Sequence, residues 1–96
     1  PTLRPAAPAD LPAVERLLAV AALPTAGVAE LLVTRADDFV VADDPTTPGE
    51  LAAVAGLEVC ADDALLRSVA VRPEWRARGL GRALVERVVR RAEERG

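Results

Sequence analysis

Histidine, lysine and tyrosine are missing from the 96-residue sequence, and Cys60 is its single cysteine. One cysteine cannot close an intrachain disulfide, and a chain without histidine offers no Cys/His metal site, so we expect no metal. Cys60 also lacks a histidine that could activate it, which favours a small structural thiol over a nucleophile. A lone free cysteine is typical of a reducing, cytoplasmic setting.

Aromatic residues and long apolar runs are scarce as well. Phe39 and Trp75 are the only aromatics, although apolar residues make up 51% of the chain. The longest apolar run, residues 17–23, is far shorter than the about 20 residues that span a bilayer. Charges and prolines near the start argue against a signal peptide. Length and composition therefore predict one small globular domain over residues 1–96, with no membrane partner.

Every cation is an arginine, and the charges are unevenly distributed. Residues 1–63 hold three arginines and eleven acids, whereas residues 64–96 hold nine arginines and four acids, for a net charge of −3. The overall acidity argues against a nucleic-acid partner, and the arginine-rich end is interrupted by Glu86, Glu93 and Glu94 without stacking aromatics. The basic second part nevertheless favours the binding of a compact anion.

Local patterns predict an α+β domain with the element order β-α-α-β-β-β-α. Asp10 is a candidate N-cap, and Pro12 fits the first turn of the helix that follows. Gly56 lies inside a predicted strand and suggests a bulge or a close backbone approach. The predicted strands are 2–5, 38–43, 50–59 and 64–71, the predicted helices are 8–23, 26–35 and one from Leu80 onward, and turns are predicted at 44–49 and at 62–63. Short turns between successive strands predict an antiparallel meander with the helices packed on it.

The stretch RARGLGR, residues 76–82, lies where the last predicted strand meets the last predicted helix. Gly79 and Gly81 would let the backbone turn sharply and approach a ligand without a Cβ in the way. The helix beginning there directs unpaired N–H groups and the positive end of its dipole at the same place, and three arginines add full charges. Together these features predict a diphosphate site.

Two common phosphate-binding motifs do not fit this stretch. A Walker loop requires Gly-Lys-Ser/Thr, and the chain has no lysine. The dinucleotide fingerprint requires a third glycine near the position of Leu84, together with a parallel β-α-β unit. A plain helix-entry turn with solvated arginines is the structural alternative.

The segment resembles the acetyl-CoA-binding motif of the GNAT family of N-acetyltransferases, Arg/Gln-x-x-Gly-x-Gly/Ala. Here Arg76-x-x-Gly79-x-Gly81 follows Val71-Arg72-Pro73 at the end of a predicted strand and opens an amphipathic helix. The likeness extends upstream through LRPAAPADLPAVERLL, FVVADDPTTPGELAAVAGLEV and LLRSVAV, so it covers nearly the whole chain. Within the family, LPTAGV, GLEV and ALLRSVAV are most similar to the N-acetyltransferases associated with arsenic-resistance operons.

The resemblance implies that a primary amine attacks the thioester of acetyl-CoA directly, with no covalent acyl-enzyme. It also implies that the motif backbone holds the pyrophosphate and that the preceding strand lies beside pantetheine and polarises the thioester carbonyl. The residues expected to bind acetyl-CoA are Val69, Ala70, Val71, Arg76, Ala77, Arg78, Gly79, Leu80, Gly81 and Arg82. Trp75 is expected to anchor the loop by packing rather than to stack on adenine.

Glu58 and Ser68 are the candidate catalytic residues. Glu58 is the candidate general base, because an acid within an otherwise apolar strand would have its pKa raised by burial; the alternative is a place on a solvated strand face. Ser68 either contacts the substrate near the thioester or caps a bulge. Arg67 is the candidate substrate-binding residue for an anionic group, or it pairs with a neighbouring acid.

Family members usually continue past this helix with a strand, a further helix and a hairpin. The further helix often carries a tyrosine that protonates the departing thiolate. Because the sequence has no tyrosine and stops at Gly96, we expect either a partial domain of a longer protein or a homodimer that completes the sheet. Two functions follow from the resemblance. One is an N-acetyltransferase acting on the primary amine of a small molecule; the other is a non-catalytic acyl-CoA-binding or dimerisation module derived from a GNAT domain.

Overall fold

The computed structural model describes residues 2–60 and 63–95 and contains a four-stranded sheet with helices on both faces. The strands are β1 (Leu3–Pro5), β2 (Phe39–Asp43), β3 (Leu51–Cys60) and β4 (Asp63–Val71), and the α-helices are α1 (Leu11–Val20), α2 (Val28–Thr34) and α3 (Leu80–Arg95). Neighbouring strands pair antiparallel in the order β1-β2-β3-β4. The predicted α+β class, element order and meander are confirmed. Residue 62 of the predicted turn lies outside the described residues, and residue 63 is the first of β4.

Helix α1 is shorter at both ends than the sequence pattern predicts. A separate 3-10 turn, Pro8–Asp10, precedes it, and Ala22 after it has φ 58°, a left-handed conformation that ends the helical path. The Asp10 side chain makes no capping bond to α1. Its carboxylate instead accepts hydrogen bonds from the Ala7 N–H at 2.7 Å and from both Nη atoms of Arg4 at 2.8 and 2.9 Å. Asp10 therefore occupies the predicted N-cap position of α1, but its carboxylate binds a guanidinium from β1 in place of the helix N–H groups.

Both faces of the sheet are covered, and successive residues of β2 enter different cores because strand side chains alternate. Phe39 and Val41 pack with α1 and α2, whereas Val40 and Ala42 pack with α3. The helix residues that fill these two cores are Val14, Leu17, Leu18, Val28 and Leu32 on one side and Leu80, Leu84 and Val88 on the other. In the described part of the chain, no helix has both the length and the apolar character needed to cross a membrane.

Strand β4 carries a β-bulge opposite the middle of β3. The pairing of the two strands shifts register between Val54 and Gly56, so that Ser68 and Val69 lie opposite the single residue Ala55. Ser68 has φ 56°, the left-handed conformation in which an extra residue is often accommodated. For Ser68 the bulge is therefore the alternative that is found, whereas Gly56 has the close approach, because the Phe39 ring lies directly against its backbone.

Candidate functional site

The loop between β4 and α3 gathers the predicted cofactor residues at one end of the sheet; we call residues 76–82 the cradle. Pro73–Trp75 forms a 3-10 turn, after which the chain passes through two left-handed residues, Ala77 at φ 63° and Gly79 at φ 76°. A Cβ added at Gly79 would meet nothing within 4 Å. The glycine therefore permits the backbone turn and leaves open space in which a ligand can approach the main chain.

Helix α3 begins directly behind this turn, with its start against the end of β4. A Cβ at Gly81 would lie 3.4 Å from Cγ2 of Val71, which places the helix start and the strand end in contact. The Ala83 N–H donates to the Gly79 carbonyl at 3.0 Å. The N–H groups of the turn before Ala83 have no helical carbonyl to bind, and the positive end of the helix dipole lies there, so this backbone is suited to hold an anion.

Three exposed arginines surround the cradle and make local contacts. Nε of Arg76 donates to the carbonyl of the last β4 residue at 3.1 Å, which joins the loop to the strand. The Arg78 guanidinium lies 5.0 Å from the centroid of the Trp75 ring, a cation–π contact. Arg82 pairs with Glu86 at 3.0 Å, but both side chains are exposed and such a pair contributes little stability. All three guanidiniums remain at the surface, where they add positive charge to the cradle.

Trp75 holds the cradle by packing, which agrees with the sequence prediction. Its side chain lies partly buried against the core beneath α3. Nearby, the buried Asp44 carboxylate accepts hydrogen bonds from the Thr46 hydroxyl at 2.6 Å and from the Thr46 N–H at 2.8 Å. These bonds hold the pKa of Asp44 below its usual value. The same turn ends at Glu50, whose carboxylate pairs with Arg72, and this pair connects the turn to the loop that carries the cradle.

The bulge in β4 lies beside an open groove of about 390 Å³. A bulge leaves its extra residue unpaired in the ladder, so peptide groups of β4 become available to a ligand in the groove. Leu66 and Val69 are 44% and 38% exposed there, which gives the groove an apolar part. The residues that line it are Leu23, Pro24, Leu66, Arg67, Ser68 and Val69.

Arg67 connects the candidate catalytic residues to each other. Its Nη1 lies 3.3 Å from Oε2 of Glu58, its Nη2 donates to the Ala26 carbonyl at 3.0 Å, and its Nε donates to Oγ of Ser68 at 3.3 Å. Of the two alternatives for Arg67, pairing with a neighbouring acid is the one that the structure contains. The Glu58 side chain is 39% exposed, so the burial that the sequence analysis expected around this carboxylate is not found.

The predicted cofactor residues divide into two kinds. Ala70 and Leu80 are 5% and 8% exposed, and their side chains belong to the two cores, so only their backbone can serve a ligand. The cradle residues are mostly exposed, and they follow β4 directly along the chain. The side chain of Cys60 lies outside the described residues.

Sequence reasoning missed one cluster next to the cradle. The Glu50 carboxylate pairs with Nε of Arg16, on α1, at 2.7 Å and with Nη2 of Arg72 at 3.1 Å. Arg72 lies inside the Val-Arg-Pro stretch that marks the end of β4, but the motif gives no role to its side chain. The sequence signal for this cluster is weak: Glu50 lies at the start of one strand and Arg72 at the end of its neighbour. The two residues become adjacent only when the strands pair.

The left-handed turn at Gly79, at the start of α3 and after a bulged strand, has the geometry of an anion site for a phosphate-bearing ligand. Comparisons with known proteins identify the family. The model of the acetyltransferase (GNAT) domain matches residues 35–96. Because this match covers more than half of the chain, the chain belongs to the GNAT family.

The relatives differ in how much of their length they share with this chain. The [ribosomal protein bS18]-alanine N-acetyltransferase of Escherichia coli K12 is 43% identical over 51 residues, which are 53% of this chain and 34% of that protein. Rv2747 of Mycobacterium tuberculosis, solved in complex with CoA and a second ligand, superposes with a TM-score of 0.79 at 30% identity, over 98% of this chain and 58% of that one. The chain thus spans about a third of the first relative and just over half of the second.

A third comparison supports the fold alone. N-acetylglutamate synthase of Neisseria gonorrhoeae, complexed with coenzyme A and N-acetyl-glutamate, superposes with a TM-score of 0.77 at 22% identity. The match covers 99% of this chain and 23% of that chain. The four-stranded arrangement described above is therefore shared with a larger acetyltransferase.

Proposed function

We propose that this chain binds acetyl-CoA and acts as an N-acetyltransferase that transfers the acetyl group to the primary amine of a small molecule. One observation carries the proposal: the cradle combines an open left-handed turn at Gly79, the start of α3 and three surface arginines immediately after a bulged strand. Family membership supports the same conclusion.

The cradle suits the diphosphate of CoA. In this proposal the backbone N–H groups from Ala77 to Arg82 donate to phosphate oxygens, and hydrogen bonds to a charged acceptor are stronger than those between neutral groups. Space above Gly79 lets phosphates come close to the main chain, where a side chain would exclude them. In this proposal Arg76 and Arg78 add charge at the rim and are less important than the backbone.

The bulge suits the thioester end of the cofactor. Residues 68–71 lead from the groove to the cradle, so pantetheine can lie along this strand, and a freed backbone N–H can polarise the thioester carbonyl. In the reaction, the amine nitrogen attacks the carbonyl carbon, a C–N bond forms, and the C–S bond breaks. The nitrogen loses one proton, and the departing CoA thiolate gains one.

Glu58 is proposed as the group that accepts the proton from the amine, directly or through water. It lies on β3, forms an ion pair with Arg67 of the neighbouring strand β4, and is connected through Arg67 to Ser68 at the groove. Its partial exposure gives solvent access, which a proton relay through water requires. Ser68 is proposed as a polar contact near the thioester, in addition to its place in the bulge.

The acceptor is proposed to be a small amine with an amino-acid-like character. One relative is an alanine N-acetyltransferase, which supports an acceptor of amino-acid character. Arg67 offers a guanidinium at the groove, and an acceptor carboxylate could take the place of Glu58 as its partner. The similarity to arsenic-resistance-associated enzymes remains a finer prediction, which a panel of amines will test.

The second candidate is a non-catalytic acyl-CoA-binding or dimerisation module. Leu66 and Val69 are exposed on β4, which has a strand partner on one side in the described sheet, and we propose this edge as the contact of a homodimer. Sedimentation at working concentration should give the mass of two chains; a monomeric mass contradicts the dimer.

A thiol-release assay separates the two candidates. The chain is incubated with acetyl-CoA and a panel of amino acids, amino-acid amides and short peptides, and free CoA thiol is followed with a chromogenic disulfide. Release that depends on one class of amine, and that falls at least tenfold in Glu58→Gln, supports the transferase. Acetyl-CoA binding without amine-dependent release supports the binding module.

A further inference from the structure

The turn between β2 and β3, residues 44–50, lies at the same end of the sheet as the cradle and is bonded to its base. Oε2 of Glu50 lies 3.1 Å from Nη2 of Arg72, the residue directly after β4. The two side chains are 24% and 17% exposed, so this ion pair is better shielded from solvent than the other pairs near the cradle. A shielded pair with good geometry fixes the relative position of the two chain segments more firmly than a surface pair does.

Arg72 is held by both its backbone and its side chain. Its N–H donates to the Ala52 carbonyl at 2.8 Å, and its Nε donates to the Leu51 carbonyl at 3.0 Å. Its own carbonyl accepts the Trp75 N–H at 2.8 Å and so supports the 3-10 turn that leads into the cradle. The orientation of Arg72 therefore decides where the cradle begins.

Hydrogen bonds within the turn hold it in shape. Asp44 is 4% exposed, and its carboxylate accepts hydrogen bonds from the Thr46 N–H and hydroxyl. The Asp44 N–H in turn donates to the Glu50 carbonyl at 3.0 Å. These bonds fix the end of the turn from which the Glu50 carboxylate reaches Arg72.

We propose that Glu50, through its ion pair with Arg72, positions the cradle for the diphosphate of acetyl-CoA, and that both are positioning residues for the reaction. The inference rests on the proposed function. Neither side chain needs to touch the cofactor. Their effect comes from holding the backbone donors of the cradle in place, since a displacement of about 1 Å in a binding constellation can cost as much as a hundredfold in rate.

The pair is tested with Glu50→Gln, and Arg16→Gln is the matched control. The first variant keeps the size of the side chain and removes the charge that holds Arg72. The control removes the other partner of Glu50, an arginine on α1 that is 52% exposed, and leaves the pair with Arg72 intact. We expect the dissociation constant for acetyl-CoA to rise about tenfold in Glu50→Gln and to stay within about twofold of wild type in Arg16→Gln.

Hydrogen exchange of the cofactor-free protein supplies a readout that does not depend on binding. Peptides covering residues 72–82 should exchange faster than wild type in Glu50→Gln and at the wild-type rate in Arg16→Gln. Melting temperature is followed in parallel, because a purely structural role lowers it in both variants without a selective effect on the cradle.

The outcomes are separable. Wild-type protein that fails to bind acetyl-CoA contradicts the proposed function, while the exchange comparison still decides whether the pair orders the loop. Unchanged exchange at residues 72–82 in Glu50→Gln overturns the inference, and so does an equal loss of binding in Arg16→Gln.

Discussion

Phe39 and Gly56 face each other across β2 and β3, and this contact gives a prediction with a calculable size. A Cβ added at Gly56 would lie 2.4 Å from Cε2 and 2.7 Å from Cδ2 of the Phe39 ring. The ring is 0% exposed, so it has no free space into which it can turn. Overpacking a core typically costs about 1–3 kcal/mol, and contacts this short place Gly56→Ala at the upper end, about 3 kcal/mol. For a domain of this size the melting temperature should fall by about 12–24 °C.

Denaturant unfolding and thermal melting measure this cost, and a double-mutant cycle assigns it to the ring. In a Phe39→Leu background the alanine should cost less than about 1 kcal/mol, because the atoms that it would strike are gone. A Gly56→Ala protein that melts within about 3 °C of wild type would refute both the register of β2 with β3 and the close approach.

Three further predictions concern the cradle, the base and the N-terminal strand. Gly79→Ala should cost about 1–2 kcal/mol, because alanine disfavours the left-handed conformation, and should weaken acetyl-CoA binding; equal calorimetric affinity would contradict the importance of this turn. Glu58→Gln should lower kcat at least tenfold with little change in acetyl-CoA affinity, and an unchanged kcat would remove Glu58 as the base. Arg4 holds the pKa of Asp10 and of Asp43 below the usual value through direct hydrogen bonds. These carboxylates therefore stabilise the fold above about pH 4, and the contribution is lost as the pH falls further. In Arg4→Gln the denaturant midpoint of unfolding should fall less steeply below about pH 4 than in the wild type. Identical dependence of the midpoint on pH in the two proteins would count against the network.

The elements that could be predicted are those whose signals are local. The valine-rich strands and the amphipathic pattern that starts at Leu80 predicted β2, β3, β4 and α3, and Gly79 and Gly81 predicted the backbone turn at the start of α3. Each of these depends on residues within one turn or one strand of each other, so no knowledge of the tertiary structure was needed.

The elements that were missed depend on pairing between distant segments. Alanine carries no signal for a left-handed conformation, so the end of α1 at Val20, before the left-handed Ala22, could not be predicted. Asp10 is at the predicted N-cap position, but the pairing of its carboxylate with Arg4 was not foreseen. The partners of Glu58 and Glu50 became identifiable only when the bulge at Ser68 and the strand register were known.

Isothermal titration of the chain with acetyl-CoA, with Gly81→Glu as the comparison, tests most directly whether residues 76–82 hold the cofactor. A carboxylate in the first turn of α3 suits the helix dipole, so the variant should remain folded, which circular dichroism and melting temperature will check. The same carboxylate would repel a diphosphate at the helix start. We predict saturable binding with one site per chain in the wild type and loss of that binding in Gly81→Glu. A wild-type protein that does not bind, or a folded Gly81→Glu protein that binds with equal affinity, would contradict the assignment of the cradle.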